Sequence, residues 1–463
     1  MNQMTSGQRS ALTIAVLTSF LGTFLISGVN IALPAIEKEF HLDAVALSWI
    51  VISYLLASAV FLLPIGKFAD IIGQKEVFKG GILLFTLSTI LCGIAPNGTT
   101  LILIRVIQGL GASMTATTGS PILVSVFPPA ERGKVLGLNV AAVYLGLSTG
   151  PFIGGILTQH FGWRSIFYFC IPLAISALIL VFFKLKSDIN ARPPAKIDYK
   201  GIIYYSVGLL AIVYSSSNLN KSFGWPLLIT GIFFFILFVH QCKKSDHPIF
   251  DITLFSQNRL FAFSNFAALI NYSATFSLVF LMSLYLQKVQ GFSPQKAGII
   301  LIAQPLMMAL LSPFAGKFSD RIEPRILATS GMFISATGLF MLTFIGIQTP
   351  VYVIVIILII MGSGFGLFSS PNMNTIMSSV DKRQLGIASG TSATMRIVGQ
   401  MMSMMIVTLI FSLFFSGTQL KEANNILFVT SIRLAFAISG LICLAGIYFS
   451  YSRGDLRQSI TNL

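Results

Sequence analysis

Long apolar runs, separated by short segments that contain charges, proline and glycine, recur along the whole chain. A helix needs about 20 apolar residues to cross the hydrocarbon core of a bilayer, so each run predicts a transmembrane helix. Charged residues make up only 10% of the chain, too few to cover the cores of soluble domains. The sequence therefore predicts an all-α integral membrane protein. The runs predict fourteen spans, at 11–33, 46–66, 77–95, 100–122, 134–157, 164–183, 200–218, 225–241, 260–286, 296–317, 325–346, 351–373, 385–415 and 426–451.

The basic residues alternate between segments that are rich and poor in Lys and Arg. If the N-terminus is cytoplasmic, most of these residues fall in the predicted inner segments, as the positive-inside rule requires. We therefore expect a multi-pass protein of the cell (plasma) membrane with both termini in the cytoplasm and a retained first span. The net charge of +15 comes from these short clusters rather than from one basic surface, so nucleic acid is not an expected partner.

Two similar segments indicate an internal repeat. GKFADIIGQK at 66–75 matches GKFSDRIEPR at 316–325 at an offset of 250 residues, and Gly150 matches Gly399 at an offset of 249. These matches predict two six-helix bundles, at 1–186 and 259–463. The segment between them, 187–258, would add two central helices. Repeats of this kind are typical of transporters whose substrate site lies near the bilayer midplane.

Signs of other functional classes are weak. The four cysteines lack the spacing of metal ligands, and we find no nucleophile–base pair or phosphate-binding loop. We therefore expect neither an enzyme nor a primary pump, and no cofactor or metal. A membrane sensor or scaffold stays open as another class, although the loops are too short for a signalling domain.

The segment 66–75 resembles the signature loop of the major facilitator superfamily, although Ile71 and Gln74 replace its two inner arginines. The resemblance implies that the aspartate latches the two halves on the cytoplasmic side. The alternative is a turn that places Asp70 at the N-terminus of the third span, where a carboxylate is favoured. The residues of the first copy that match the family signature are Gly66, Asp70, Gly73 and Lys75. Those of the second copy are Asp320 and Arg321.

Two further segments resemble conserved helices of that family. LILIRVIQGLGA at 101–112 is similar to its fourth-helix motif through Arg105 and Gly109. The antiporter motif of the family matches Gly146, Gly150, Pro151, Gly154 and Gly155. Glycines four residues apart share one helix face and let helices approach closely, so tight packing is one interpretation. The resemblance adds a second, export rather than import.

Shorter matches extend the resemblance over nearly the whole chain and, with the two extra helices, indicate the fourteen-span drug:proton antiporter branch. Examples are Phe161-Gly162-Trp163-Arg164 and Pro248-Ile249-Phe250-Asp251. This resemblance implies a small-molecule substrate, protons as the coupling ion and activity as a monomer in the lipid bilayer. One departure matters: the acidic residue of the first span is replaced by Leu25. All fifteen carboxylates fall in loops or at helix ends, so no proton site can be transferred from the family.

Three arginines, Arg105, Arg396 and Arg433, lie inside predicted spans. Arg396 is about 16 Å into its span, near the midplane, where an unpaired charge is a candidate functional site. It would attract an anionic group of the substrate, or it would bond a helix carbonyl or an amide; for Arg105 we favour the second role. Other candidates for a substrate cavity are polar residues that could equally form interhelical hydrogen bonds: Asn30, Tyr54, Asn139, Asn265, Asn271, Tyr272, Gln304, Asn372, Asn374 and Gln400.

These features favour a secondary transporter that exports small amphipathic compounds by alternating access. The alternative is a uniporter or exchanger for an anionic metabolite or a lipid-like molecule, without proton coupling.

Overall fold

The computed structural model describes residues 4–128, 131–185, 197–319, 321–381, 384–415 and 424–455, with only the backbone at Lys134. The described chain folds into α-helices joined by short connections. The first eight are α1 (Ser6–Phe40), α2 (Ala44–Ile72), α3 (Gln74–Gly93), α4 (Gly98–Val126), α5 (Arg132–Phe161), α6 (Ser165–Lys184), α7 (Tyr199–Ser216) and α8 (Gly224–Lys244). The others are α9 (Ile252–Gln257), α10 (Arg259–Thr275), α11 (Ser277–Leu284), α12 (Pro294–Leu301), α13 (Ala303–Ser319), α14 (Pro324–Leu342), α15 (Val351–Ser378), α16 (Leu385–Phe414) and α17 (Asn425–Ser452).

Thirteen helices in the described part of the chain are long and apolar enough to cross a membrane. They correspond to thirteen of the fourteen predicted spans. The predicted span 200–218 corresponds to α7, which is helical but is not among the thirteen, because Lys200 and several tyrosines and serines reduce its apolar content. The protein is therefore an all-helical membrane protein, and a count of fourteen stays a prediction.

The predicted span 260–286 lies within one candidate membrane span, Arg259–Val289, which contains an irregular turn. The helix α10 ends at Thr275 and α11 follows after Phe276, and a π-helical turn, Tyr285–Val289, then extends α11. A π turn contains one residue more than an α turn and is found often at functional sites. The apolar run is continuous in sequence, so its composition gives no sign of this irregular turn.

Polar caps and glycines determine where several helices begin and end. The Asn97 side chain accepts a hydrogen bond from the Thr100 backbone N–H at 2.8 Å and caps α4. Gly73 separates α2 from α3 with a φ of 111°, which a residue with a side chain rarely adopts. Local signals therefore mark the start of α4 and the break between α2 and α3.

The chain forms two compact units. Unit 1 consists of Met1–Ile36, Trp49–Ser215 and Trp225–Phe250, and unit 2 consists of Glu37–Ser48, Ser216–Gly224 and Asp251–Leu463. The predicted boundary between 186 and 187 lies outside the described residues. The division into 1–186, 187–258 and 259–463 therefore stays a prediction.

The helix α7 is fixed within unit 1 by side-chain hydrogen bonds. The Tyr205 hydroxyl donates to the Ala59 carbonyl of α2 at 2.9 Å. The Gln241 amide of α8 donates to Asp198, which precedes α7, at 2.9 Å. The same carboxylate accepts from the Gly201 backbone N–H at 3.0 Å. The two central helices thus bond to each other and to α2.

Candidate functional site

Arg105 lies in the interior of unit 1, with no exposed surface. Its Nε donates to the Ile50 carbonyl at 3.2 Å, and its Nη1 donates to the Gln108 side-chain oxygen at 2.6 Å. The guanidinium carbon lies 4.4 Å from the centre of the Tyr54 ring. The Gln108 amide in turn donates to the Thr89 hydroxyl at 2.8 Å. Arg105 therefore joins α2, α3 and α4 through a carbonyl, an amide and an aromatic ring.

The glycines of the antiporter motif face α1. A Cβ atom on Gly146 would meet the Thr23 hydroxyl and lie 2.6 Å from the Phe20 carbonyl oxygen, and one on Gly154 would lie 3.1 Å from the Gly28 Cα. The Ser27 hydroxyl donates to the Gly146 carbonyl at 3.2 Å. The backbones of α5 and α1 are therefore in direct contact. Pro151 and Gly155 are also buried in this region.

A similar close approach joins α4 to α2 in unit 1 and α15 to α13 in unit 2. A Cβ atom on Gly109 would meet the Tyr54 carbonyl oxygen, and one on Gly362 would meet the Gln304 carbonyl oxygen. Tyr54 and Gln304 are separated by 250 residues, the offset of the repeated signature loop. Each unit therefore places a glycine against the backbone of a residue that the predicted repeat pairs with its counterpart.

The first signature loop is a turn at the end of α2. Asp70 is exposed, and its carboxylate accepts a hydrogen bond from the Gln74 amide, the first residue of α3, at 3.0 Å. Gly66 lies close to α4, since a Cβ atom there would be 3.3 Å from the Thr117 methyl group. Lys75 is half-buried. In the second copy, Arg321 is exposed, whereas Asp320 lies outside the described residues.

Arg396 lies on α16 in unit 2 and is half-buried. Its charge acts on Tyr272 of α10, whose hydroxyl is hydrogen-bonded to the Ser369 side chain. The Tyr272 ring meets Phe365 of α15 at 5.5 Å between centroids, edge to face. The structure thus brings two predicted candidates, Arg396 and Tyr272, to one place. No hydrogen bond or ion pair joins the Arg396 side chain to another described residue.

Gln400 and Gln304 are each 8% exposed, and neither side chain forms a hydrogen bond within the described part of unit 2. Asn271 has no exposed surface, and neither its amide nitrogen nor its oxygen has a described hydrogen-bond partner. These three side-chain amides lie inside spans and have no described hydrogen-bond partner in the protein.

The remaining polar candidates are bonded or buried in the protein. The Ser19 hydroxyl donates to the Asn139 side-chain oxygen at 2.8 Å, which links α1 to α5. The Asn265 amide donates to the Phe261 carbonyl at 2.9 Å within α10. The Asn374 amide donates to the Ser319 hydroxyl at 3.3 Å. Asn30 is buried on α1, with 1% of its surface exposed.

Asn372 belongs to a buried cluster that the sequence did not predict. Arg453, which follows α17, is 2% exposed and donates to the Asn372 side-chain oxygen at 2.7 Å and to the Ser264 hydroxyl at 3.4 Å. The Asn372 amide donates to the Ser264 carbonyl at 3.0 Å. Burial lowers the pKa of Arg453 to about 10; the charge of Glu323 opposes this shift and that of Arg325 adds to it. The sequence pattern indicates a loop charge at Arg453, because a basic residue that follows a span is typical of the interface.

Arg433, the third arginine of the predicted spans, is exposed on α17. Its Nε donates to the Thr343 carbonyl at 2.8 Å, immediately after the end of α14. A cation is favoured at the C-terminus of a helix, where carbonyl groups lack intrahelical partners. Arg433 of α17 thus bonds a carbonyl group at the C-terminal end of α14.

The comparisons with known proteins agree with this helical architecture. The sequence profile described as Major Facilitator Superfamily matches residues 13–404 and 264–459. The riboflavin transporter RibZ of Clostridioides difficile (strain 630) is 30% identical over 440 residues, which are 94% of this chain and 95% of RibZ. The multidrug resistance protein Stp of Mycobacterium tuberculosis (strain CDC 1551 / Oshkosh) is 30% identical over 416 residues, 88% of this chain and 77% of Stp.

Two solved structures share the fold at 13% sequence identity. The human organic anion transporter MFSD10 (TETRAN) has a TM-score of 0.65, covering 96% of this chain and 99% of its own. A bacterial homolog of the human lysosomal transporter Spinster has a TM-score of 0.68, covering 97% and 98%. The match of the family profile extends over most of the chain, and RibZ is named as a transporter. This chain therefore belongs to the Major Facilitator Superfamily and is a membrane transporter rather than an enzyme.

Proposed function

We propose that this chain is a secondary active transporter that exports small amphipathic compounds from the cytoplasm by alternating access. The observation that carries the proposal is the glycine face of α5, where Gly146, Gly150 and Gly154 bring the backbone against α1. The same residues match the antiporter motif of exporters in this family. A relative named as a multidrug resistance protein, aligned over 88% of this chain, supports the same direction.

The proposed transporter lies in the plasma membrane, acts as a monomer and belongs to the fourteen-span drug:proton antiporter branch. It consists of two six-helix bundles with two added central helices. In this arrangement α7 also crosses the membrane and brings the number of spans to fourteen. The bond from Tyr205 to the Ala59 carbonyl supports this assignment, because it holds α7 against α2, itself a candidate span.

Membrane topology tests the span count. With fourteen spans both termini lie in the cytoplasm, whereas with thirteen they lie on opposite faces of the bilayer. We expect a cysteine placed at Lys221, between α7 and α8, in a variant without the four native cysteines, to react with an impermeant maleimide in intact cells. Cytoplasmic reporters fused to both termini should be active. Reporter activity at only one terminus would contradict the fourteen-span topology.

Inside-out membrane vesicles test the direction of transport. We expect energised vesicles that contain the protein to accumulate at least one of three probes: naphthalene-2-sulfonate, an anion; riboflavin, which is neutral; and ethidium, a cation. Right-side-out vesicles should exclude the same probe. Gly150→Ala should abolish accumulation, and Gly137→Ala on the same helix is the matched control, since a Cβ atom there meets nothing within 4 Å. Accumulation only in right-side-out vesicles would identify an importer.

Riboflavin is a second candidate substrate. The relative named as a riboflavin transporter aligns over 95% of its own length. The aromatic pair of Tyr272 and Phe365 and the unbonded amides of Gln304 and Gln400 could contact a planar ring with polar edges. Measuring riboflavin with the other two probes tests this candidate directly. If riboflavin moves only inward, its transport is uptake and the export proposal fails for this substrate.

A further inference from the structure

Two arginines inside spans differ in what surrounds them. Arg105 is fully buried and is bonded to the Ile50 carbonyl and to Gln108. Arg396 is half-buried, and its side chain has no hydrogen bond or ion pair with any described residue. An unpaired charge at membrane depth is costly and is usually kept for function. Arg105 has the contacts of a structural residue, whereas Arg396 has those of a binding residue.

The helix contacts place Arg396 beside an aromatic pair. A Cβ atom on Gly399 would lie 2.8 Å from the Tyr272 Cβ, so α16 packs directly on α10 at this point. Arg396 and Gln400 lie three residues before and one residue after Gly399, and residues four apart share a helix face. Tyr272 is held by Ser369 and by the edge of Phe365. A cation, an amide and apolar rings are therefore available together.

The charges of unit 2 favour an anionic ligand here. Its described carboxylates lie in the connections or near the helix ends, not in the middle of a span; they are Glu37, Glu39, Asp43, Asp251, Glu323, Asp381 and Asp455. The planar guanidinium fork of arginine matches two oxygens of a carboxylate or a sulfonate. No described carboxylate in the middle of a unit 2 span therefore competes with an anionic ligand for Arg396.

We infer that the exported compounds are amphipathic organic anions whose charged group binds Arg396 while the apolar part contacts Tyr272 and Phe365, and that the membrane potential drives their export. This inference rests on the export direction of the proposed function and replaces proton coupling with the membrane potential as the driving force. The first-span position that is acidic in the resembling branch is Leu25, which has no exposed surface. An anion needs no proton site, because the negative interior of a cell expels it. A potential of about 100 mV would support an accumulation of about fiftyfold for a monovalent anion.

Equilibrium binding to the purified full-length protein tests the role of Arg396. The probes are naphthalene-2-sulfonate and its neutral counterpart of the same size, naphthalene-2-sulfonamide. We expect Arg396→Gln to raise the Kd of the sulfonate about ten- to hundredfold, the range for losing a charged hydrogen bond, and that of the sulfonamide much less. Arg396→Lys should restore part of the sulfonate affinity. Arg433→Gln, at an exposed arginine of the same unit, is the matched control and should change neither Kd.

Proteoliposomes test the driving force. In phosphatidylcholine liposomes, a lumen made positive with valinomycin and external K⁺ should drive uptake of the sulfonate, and the reverse gradient should prevent it. A pH gradient imposed with the potential clamped at zero should drive none. Uptake that follows the pH gradient, or an equal effect of Arg396→Gln on both probes, would overturn the inference. If phosphatidylglycerol abolishes sulfonate uptake, the occupant of the site is a lipid headgroup and the inference also fails.

The same measurements separate this inference from the proposed function. Export of riboflavin or ethidium without the sulfonate would refute the anion inference and leave the export proposal intact. If a monodisperse protein transports none of the three probes, the export proposal fails.

Discussion

Gly150 on α5 lies against Ser27 on α1 with no space for a methyl group between them. A Cβ atom on Gly150 would overlap the Ser27 hydroxyl and lie 2.9 Å from the Ser27 Cβ. Within unit 2, Gly399, which the predicted repeat pairs with Gly150, makes a similar contact, since a Cβ atom there would lie 2.6 Å from the Leu269 carbonyl oxygen of α10. Both halves of the sequence therefore use a glycine to bring two helix backbones together.

Gly150→Ala should destabilise the protein by about 1–3 kcal/mol, because α1 and α5 must separate to admit the methyl group. Gly137→Ala should leave stability unchanged or increase it by up to about 1 kcal/mol, since alanine is the better helix former. Thermal unfolding of both purified variants in the same detergent provides the comparison. Equal melting temperatures would contradict the close contact of the two helices.

Arg105→Lys should reduce stability by about 1–3 kcal/mol, because the ammonium lacks the planar fork whose Nε and Nη1 bond the Ile50 carbonyl and Gln108 in their present positions. Arg433→Lys, at an exposed position, should change stability by less than about 0.5 kcal/mol. Thermal unfolding checks both variants. A loss that is as large at Arg433 as at Arg105 would show that the buried network contributes little.

Asn372→Leu should cost about 1.5–3 kcal/mol, because it removes the acceptor of a hydrogen bond from the charged Arg453. Asn372→Asp keeps the acceptor for Arg453 but loses the hydrogen bond to the Ser264 carbonyl, so its stability should lie between those of the wild type and Asn372→Leu. Unfolding of the two variants under identical conditions tests this order. If the aspartate variant were the less stable, Arg453 would not depend on an acceptor at this position.

The stability of the wild-type protein relative to Arg453→Met should rise between pH 9 and pH 11. Burial lowers the pKa of Arg453 to about 10 from its ordinary value of 12.5, so the folded protein releases this proton at a lower pH than the unfolded chain does. Above pH 10 the unfolded chain therefore binds more protons at this residue, which favours the folded state. The difference in melting temperature between the two proteins, followed across this range, gives the result. A constant or falling difference would contradict the shift.

Local patterns in the sequence were sufficient for most of the spans and for the glycine face of α5. Apolar runs located thirteen helices that could cross a membrane, because composition and length alone decide this property. The spacing of Gly146, Gly150 and Gly154 predicted a single packed face, because helical periodicity is local. The partner of that face, α1, could not be predicted from spacing, since it depends on the tertiary arrangement.

The polar residues inside the spans could be told apart from the sequence only in part, since a bonding role was favoured for Arg105 but not decided for Arg396. Arg105, Arg396 and Asn372 share one pattern, a polar side chain within an apolar run. In the structure, Arg105 has protein partners, Asn372 bonds Arg453, and Arg396 has no described hydrogen bond or ion pair. Which of these applies depends on residues tens to hundreds of positions away. Arg453 itself gave no signal, because a basic residue after a span is common.

The π-helical turn Tyr285–Val289 changes the direction of the side chains that come after it. Its extra residue turns the side chain at the end of this helix, Gln290, by about 100° from the direction that an uninterrupted α-helix would give. With this orientation, the Gln290 amide donates to the Tyr285 hydroxyl at 3.0 Å and to the Ile347 carbonyl at 3.0 Å. Deleting one residue from the turn would restore a regular helix and point Gln290 away from the loop between α14 and α15. The irregular turn thus orients Gln290 so that it bonds this end of the helix to the loop between α14 and α15.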